Sequence, residues 1–422
     1  MDGIESREFY AAIHPTNCYM IQHAHRRIDD IEALRAFAVL FTIIEHVRYV
    51  LSWGNHYVYT FDLFFSATTG VDLFLCISGF VIARSLLRTL DTAPDSETFW
   101  RRVFAFWVRR VFRIWPTSIF WVTAIVACGV IFRHAGYFGH FRENLADFAA
   151  VVTQTANFHM VGCLPLSECG NAGPWWSLSL EEQFYILLPF AAFFFRRKIA
   201  YFMVFVVLAQ VFLHRPSWTY PWVFRTDALA MGVLLAIFAN GKLQEVVNPK
   251  FLANRLYAIP MVAVLLLLMA SMPDAARKIS SVSFSTGMVA IVAAVLVFIA
   301  SFDGDYIARG RMPKTVLLWI GSRSYSIYLI HWFSIQATKT IWWYVEPAGT
   351  VFDGRYTLRY LLVWIALTVI LSELNYRLLE TPLRRKGADI AKRIANGESG
   401  DRPAPPTSMS EHSTDEASAA SA

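Results

Sequence analysis

Apolar runs separated by shorter polar and basic stretches repeat from residue 32 to residue 379. A helix needs roughly 20 apolar residues to cross the hydrocarbon core of a bilayer. The pattern predicts about ten spans: 32–53, 70–89, 115–133, 175–194, 199–213, 224–240, 256–271, 283–301, 315–337 and 358–379. The connections alternate in charge. One set holds Arg84, Arg88, Arg101, Arg102, Arg109, Arg110 and Arg113, then Arg196, Arg197 and Lys198, then Lys242, Lys250 and Arg255, then Arg309, Arg311 and Lys314. The other set is poorer in Lys and Arg, so the positive-inside rule puts both termini in the cytoplasm.

The expected fold is therefore all-α, a polytopic transmembrane helical bundle. A cytoplasmic segment covers 1–29, the membrane domain 30–385 and a cytoplasmic tail 386–422. From about residue 395 the chain is Gly, Pro, Ser, Ala and acidic residues, a composition that cannot bury a core and is expected to be disordered. The first 25 residues hold no sustained apolar core, so the first span is expected to act as its own insertion signal. No internal repeat is visible, which weakens an inverted-repeat transporter.

Composition agrees with the pattern. The chain is 56% hydrophobic and 15% aromatic, with a mean hydropathy of +0.41, above the apolar share of ordinary soluble domains. A net charge of +6 would suggest nucleic acid for a soluble chain. Here the basic residues flank the spans and serve orientation, so no nucleic-acid partner is expected.

Polar residues inside the apolar runs carry the candidate chemistry, because charges in a bilayer helix cost a few kcal/mol and are kept for function. Arg35 and His46 are eleven residues apart; at 100° per residue they share a helix face, about 16 Å apart along the axis. Histidine titrates near neutral pH and suits proton transfer. The alternative is a snorkelling arginine with a packing histidine. In "WVRRVFRIWP", Arg110 and Arg113 share a face, and guanidinium forks match phosphates bidentately. Membrane anchoring is the simpler use of such a cluster. Pro116 follows, placed by this reading at the start of a span, where proline is tolerated.

In "WSLSLEEQFYILLP", Ser177, Glu181 and Tyr185 are spaced by four and form one polar stripe, with Glu182 beside it. Acids in a first helical turn also simply favour the positive end of the helix dipole. Arg225 and Asp227 suggest a local ion pair or cap, His331 a packing histidine inside the ninth span, and Glu373 with Arg377 an i,i+4 pair. Cys163 and Cys169 lie in the outward loop before the fourth span, where an oxidising compartment allows either a small disulfide or two free thiols. No cysteine pair has zinc-finger spacing, and no metal is expected.

Seven stretches together resemble the type 3 membrane acyltransferases: "IEALRAFAVLFTIIEHV", "GVDLFLCISGFVIARSL", "FWVRRVFRIWP", "WSLSLEEQFYILLP", "FRTDALAMG", "GSRSYSIYLIHW" and "NYRLLETP". They run in the family's order over nearly all of the apolar chain. The resemblance implies catalytic roles for His46 and Glu181 and donor binding by Arg35, Arg110 and Arg113. Ser177, Glu182, Tyr185, Arg225, Asp227 and His331 would support the site or hold the acceptor. It implies an enzyme of a bacterial inner membrane moving an acyl group, commonly acetyl, from acyl-CoA to a hydroxyl of a surface or exported glycan, with no bound cofactor. Some relatives carry an extra soluble esterase-like domain after the spans. This chain is expected to lack one, and a separate extracytoplasmic enzyme would then supply that role. The rival classes are a proton-coupled transporter or flippase of a sugar-containing substrate, and a non-catalytic binding protein.

Overall fold

A computed structural model describes residues 27–397 apart from 55, 63, 242 and 279–284. The tail beyond residue 397 and most of the 1–29 segment lie outside the described residues. Every regular element among those described is helical. In chain order the main helices are α1 (Asp29–Val50), α2 (Gly70–Asp91), α3 (Ser96–Ile131), α4 (Phe141–Val152), α5 (Ala156–Cys163), α6 (Trp175–Phe195) and α7 (Ile199–Val211). They are followed by α8 (Asp227–Ala239), α9 (Arg255–Lys278), α10 (Ser285–Ala300), α11 (Arg311–Ser322), α12 (Ser324–Val345), α13 (Thr357–Asn375) and α14 (Thr381–Asn396).

Among the described residues, five helices are long and apolar enough to cross a membrane: Ala67–Asp91, Ser96–Ile131, Tyr220–Ala239, Arg255–Met272 and Gly354–Asn396. Helices α1, α6 and α12 have 21 or 22 residues but are diluted by polar side chains. Helices α7 and α10 are shorter, at 13 and 16 residues.

Two stretches differ from the sequence reading. The arginine-rich segment and the third predicted span form one helix, α3, of 36 residues. At 1.5 Å per residue it is about 54 Å long, well beyond the hydrocarbon thickness. Asp95 caps its start by accepting from the Thr98 N–H at 2.7 Å. Pro116 therefore sits inside the helix and not at its start, which removes one backbone hydrogen bond. The ninth predicted span is two helices, α11 and α12, broken at Arg323. Arg323 turns to Glu373, with Nε–Oε2 at 2.5 Å, and Glu373 also pairs with Arg377.

The core forms where α2 and α8 meet. A Cβ on Gly79 would lie 2.1 Å from the Leu229 carbonyl oxygen, and one on Gly232 would lie 2.2 Å from that of Cys76. Only glycine permits this approach, the small-residue packing typical of helices in membranes. Helix α1 packs against α2, α11 and α12, which puts its polar face inside the molecule.

Helices α4 and α5 form a cap beside the start of α6. Asp147 holds the Gly170–Ala172 loop, its carboxylate accepting from Gly170 N–H at 3.2 Å and Ala172 N–H at 2.8 Å. It also faces His159 Nε2 at 3.0 Å. Burial pushes this carboxyl above its usual value, against the pull of those donors. Cys163 and Cys169 are joined, with Cα atoms 5.0 Å apart. The Asp147–His159–Cys163 group therefore has no thiolate to offer a metal.

Candidate active site

A cavity of about 80 Å³ lies among α1, α2, α3, α6 and α12. Its polar lining comprises Arg35, Ser78, Arg110, Arg113, Ser177, Glu181, Tyr185, Ser324, Tyr325 and Tyr328. The i,i+4 stripe Ser177–Glu181–Tyr185 thus faces one space, together with the two arginines of α3.

The contacts divide the cavity into two ends. At one end, Arg35 Nη1 pairs with Glu32 Oε1 at 2.8 Å, one turn back on the same helix. Arg110 and Arg113 have no carboxylate at ion-pair distance among the described residues. The Arg110 guanidinium lies 5.7 Å from the Phe106 ring centroid and 5.6 Å from that of Tyr185, and its Nε is buried without a partner. Glu181 Oε2 accepts from Tyr185 at 2.7 Å and from Ser78 at 3.0 Å. Glu182 is buried with Oε1 unpartnered, but it does not line the cavity.

At the other end, the Ser177 and Tyr328 hydroxyls are 2.7 Å apart, and Tyr328 donates to the Pro174 carbonyl at 3.1 Å. His46 does not line the cavity; it stands beyond Tyr328. The Tyr328 and His331 rings are 5.9 Å apart, and those of His331 and His46 are 4.9 Å apart. His46 Nδ1 lies 2.7 Å from the Thr42 carbonyl oxygen, an acceptor that fixes the proton on Nδ1. His331 Nε2 faces the same Nδ1 at 3.3 Å, and His331 Nδ1 faces the Ile327 carbonyl at 3.3 Å. The tautomer these contacts select leaves the lone pair of His46 on Nε2, free to accept a proton. Glu181 is not among the contacts of His46.

A family model described as an acyltransferase domain matches residues 28–375. The chain belongs to the type 3 acyltransferase family. It is 25% identical over 387 residues to the O-acetyltransferase OatA of Staphylococcus aureus (strain NCTC 8325 / PS 47), covering 86% of this chain and 58% of that protein. It is 26% identical over 388 residues to a putative O-acetyltransferase of S. aureus strain COL, again with 86% and 58% covered. The chain thus spans less than two thirds of these relatives' length. No solved structure matches.

Arg225 and Asp227 do not pair with each other, because each meets a residue from another part of the chain. Arg215 grips Asp227 with two bonds, of 2.9 and 2.6 Å, and both are buried. Arg225 lies 3.5 Å from Asp72 and 4.3 Å from the Trp222 ring centroid. Sequence reasoning missed Ser78, Asp72 and Arg215. Asp72, an acid within an apolar run, was the one available signal; Ser78 and Arg215 gain meaning only through contacts between helices.

Proposed function

We propose that this chain is an integral-membrane O-acyltransferase, moving an acetyl or similar acyl group from cytoplasmic acyl-CoA to a hydroxyl of a cell-surface or exported glycan. The observation that carries the reading is the cavity joining Arg110 and Arg113, which have no carboxylate at ion-pair distance among the described residues, to a hydroxyl-rich end at Ser177 and Tyr328, with His331 and then His46 beyond Tyr328. Guanidinium groups without carboxylate partners suit phosphates. A cavity of this size suits a thioester tip, with the nucleotide of CoA at the mouth near the arginines.

In the reaction, His46 Nε2 takes the proton of the acceptor hydroxyl while its oxygen bonds to the acyl carbon. The C–S bond then breaks, CoA leaves as thiolate, and the proton on His46 passes to that thiolate. Glu181 orients Tyr185 and Ser78 along the wall of the donor cavity. Hydrolysis of acetyl-CoA by the purified protein, lost in His46→Ala, separates this enzyme from a transporter or flippase of a sugar-containing substrate.

The donor site has its own test. Arg110→Ala and Arg113→Ala are expected each to weaken CoA binding about tenfold, since a charged hydrogen bond contributes about 1.5–3 kcal/mol. Lysine should recover part of the loss, restoring charge without the fork. Calorimetric titration of the detergent-purified protein with CoA measures it. Unchanged dissociation constants in both alanine variants would make these residues membrane anchors.

The topology is part of the proposal: about ten spans in a bacterial inner membrane, with both termini cytoplasmic. Reporter fusions at Gly136 and Lys242 should report outside and inside respectively. Two fusions on the same side would overturn that count.

A further inference from the structure

His46 is only four residues from the end of α1 at Val50, about 6 Å along the axis. Around it the chain builds a group of rings that the donor cavity does not use. The Tyr49 ring centroid lies 5.6 Å from that of His46, Trp332 lies 5.3 Å from His46, and Tyr49 and Trp332 are 5.2 Å apart. Each corner of this triangle offers something different. Tyr49 is 44% exposed and lies on the same helix end as His46. Trp332 is turned inward, with Gly173 of the capping loop about 3.6 Å from its ring, measured from the Cβ position of that glycine. The Trp332 indole N–H is buried with no acceptor among the described residues.

That orphaned donor is the informative feature. Leaving a buried N–H unpaired is unfavourable, and an indole so placed beside the candidate base is suited to an acceptor from outside. Tyrosine and tryptophan in a membrane belt keep their polar ends at the wet headgroup level. Trp332 does the reverse, pointing its N–H into the protein beside a histidine. Its neighbours repeat the pattern, for the indole N–H groups of Trp53 and Trp342 are also buried with no partner among the described residues. A ligand that answers all of this has an apolar face for a ring, oxygens that accept from indole N–H, and a hydroxyl for a base. A sugar ring has all three.

We infer that Tyr49 and Trp332 form the acceptor subsite. A pyranose ring of the glycan lies against the exposed Tyr49 ring, the Trp332 indole, whose N–H is closed off without the glycan, turns to donate to one of its oxygens, and a neighbouring hydroxyl is presented to His46 Nε2. The inference rests on the reading of the chain as a glycan acyltransferase and gives that reading a place for the acceptor. It puts donor and acceptor on opposite sides of Tyr328, with His46 on the acceptor side. Arg48, whose guanidinium lies 5.4 Å from the Tyr49 ring centroid and pairs with Glu45, backs one face of that ring.

The test is transfer from radiolabelled acetyl-CoA to the envelope glycan fraction of the cells that produce the protein, with that fraction as the varied substrate. Tyr49→Ala is expected to raise the half-saturating glycan concentration about tenfold. Trp332→Phe keeps a ring and removes only the N–H. It is expected to raise that concentration by about 2- to 12-fold, the loss of one neutral hydrogen bond. The dissociation constant for CoA, set at the far end of the cavity, should stay at the wild-type value in both and certifies the fold. Wild-type half-saturation in both variants overturns the subsite while leaving the acyltransferase intact, as does a fall in maximal rate alone. Wild-type protein that hydrolyses acetyl-CoA yet acetylates nothing in the fraction overturns the glycan reading, and the subsite with it.

Discussion

His46→Ala should lower the rate of acyl transfer by about 10²–10⁴-fold, the usual contribution of a positioned general base. An uncharged sugar hydroxyl is a poor nucleophile at neutral pH, so removal of its proton is where a side chain gains most. The geometry fixes which nitrogen does this. The Thr42 carbonyl at 2.7 Å and His331 Nε2 at 3.3 Å both face Nδ1, so Nε2 is the basic atom. Binding of CoA should persist in the variant, because Arg110 and Arg113 line a cavity that His46 does not enter. The wild-type rate should rise with pH through one ionisation, since only the neutral imidazole can accept, and the alanine variant should lose that limb. Steady-state kinetics with acetyl-CoA, alongside CoA titration, measures both. Transfer at the wild-type rate in His46→Ala would make the residue a packing histidine and move the search for the base to His331 or Glu181.

Parts of this site were legible because one helix carries them. Ser177, Glu181 and Tyr185 recur every fourth residue, and Arg110 with Arg113 share a face, so helical geometry alone puts them on common stripes. The same rule placed Arg35 and His46 on one side of α1, although the structure assigns them to different spaces. What could not be read is which stripe faces which. The bonds Ser78–Glu181, His46–His331 and Arg323–Glu373 join residues 103, 285 and 50 positions apart, and no periodicity encodes such a meeting. Hydropathy also misjudged helix ends. The charges of Arg109, Arg110 and Arg113 looked like a connection before a span, whereas a long helix tolerates them by extending beyond the apolar layer and turning some inward. Polarity likewise hid the break at Arg323, where the partner that ends α11 is Glu373 on a different helix.

Asp227→Ala should destabilise the protein by about 3–5 kcal/mol, the penalty for stranding one member of a buried ion pair. Asp227 is fully buried at the start of α8, and its side chain and that of Arg215 are 0% and 1% exposed. With the carboxylate gone, Arg215 would keep its charge in a place without water, and its Nε already lacks a partner. The nearby Asp72 already stands 3.5 Å from Arg225. The loss should appear as a lower unfolding midpoint in detergent. The pair itself need contribute little, since two charges withdrawn from water repay that cost only with good geometry. The double variant Arg215→Met with Asp227→Leu should therefore recover most of the loss, because no charge is stranded. That recovery separates scaffold from chemistry. A double variant that melts like wild type and still transfers acyl groups makes the pair a clamp holding the start of α8 to the segment that follows α7. One that melts like wild type but transfers nothing places Asp227 in the reaction itself. An unaltered midpoint in Asp227→Ala would overturn the buried Arg215–Asp227 pair.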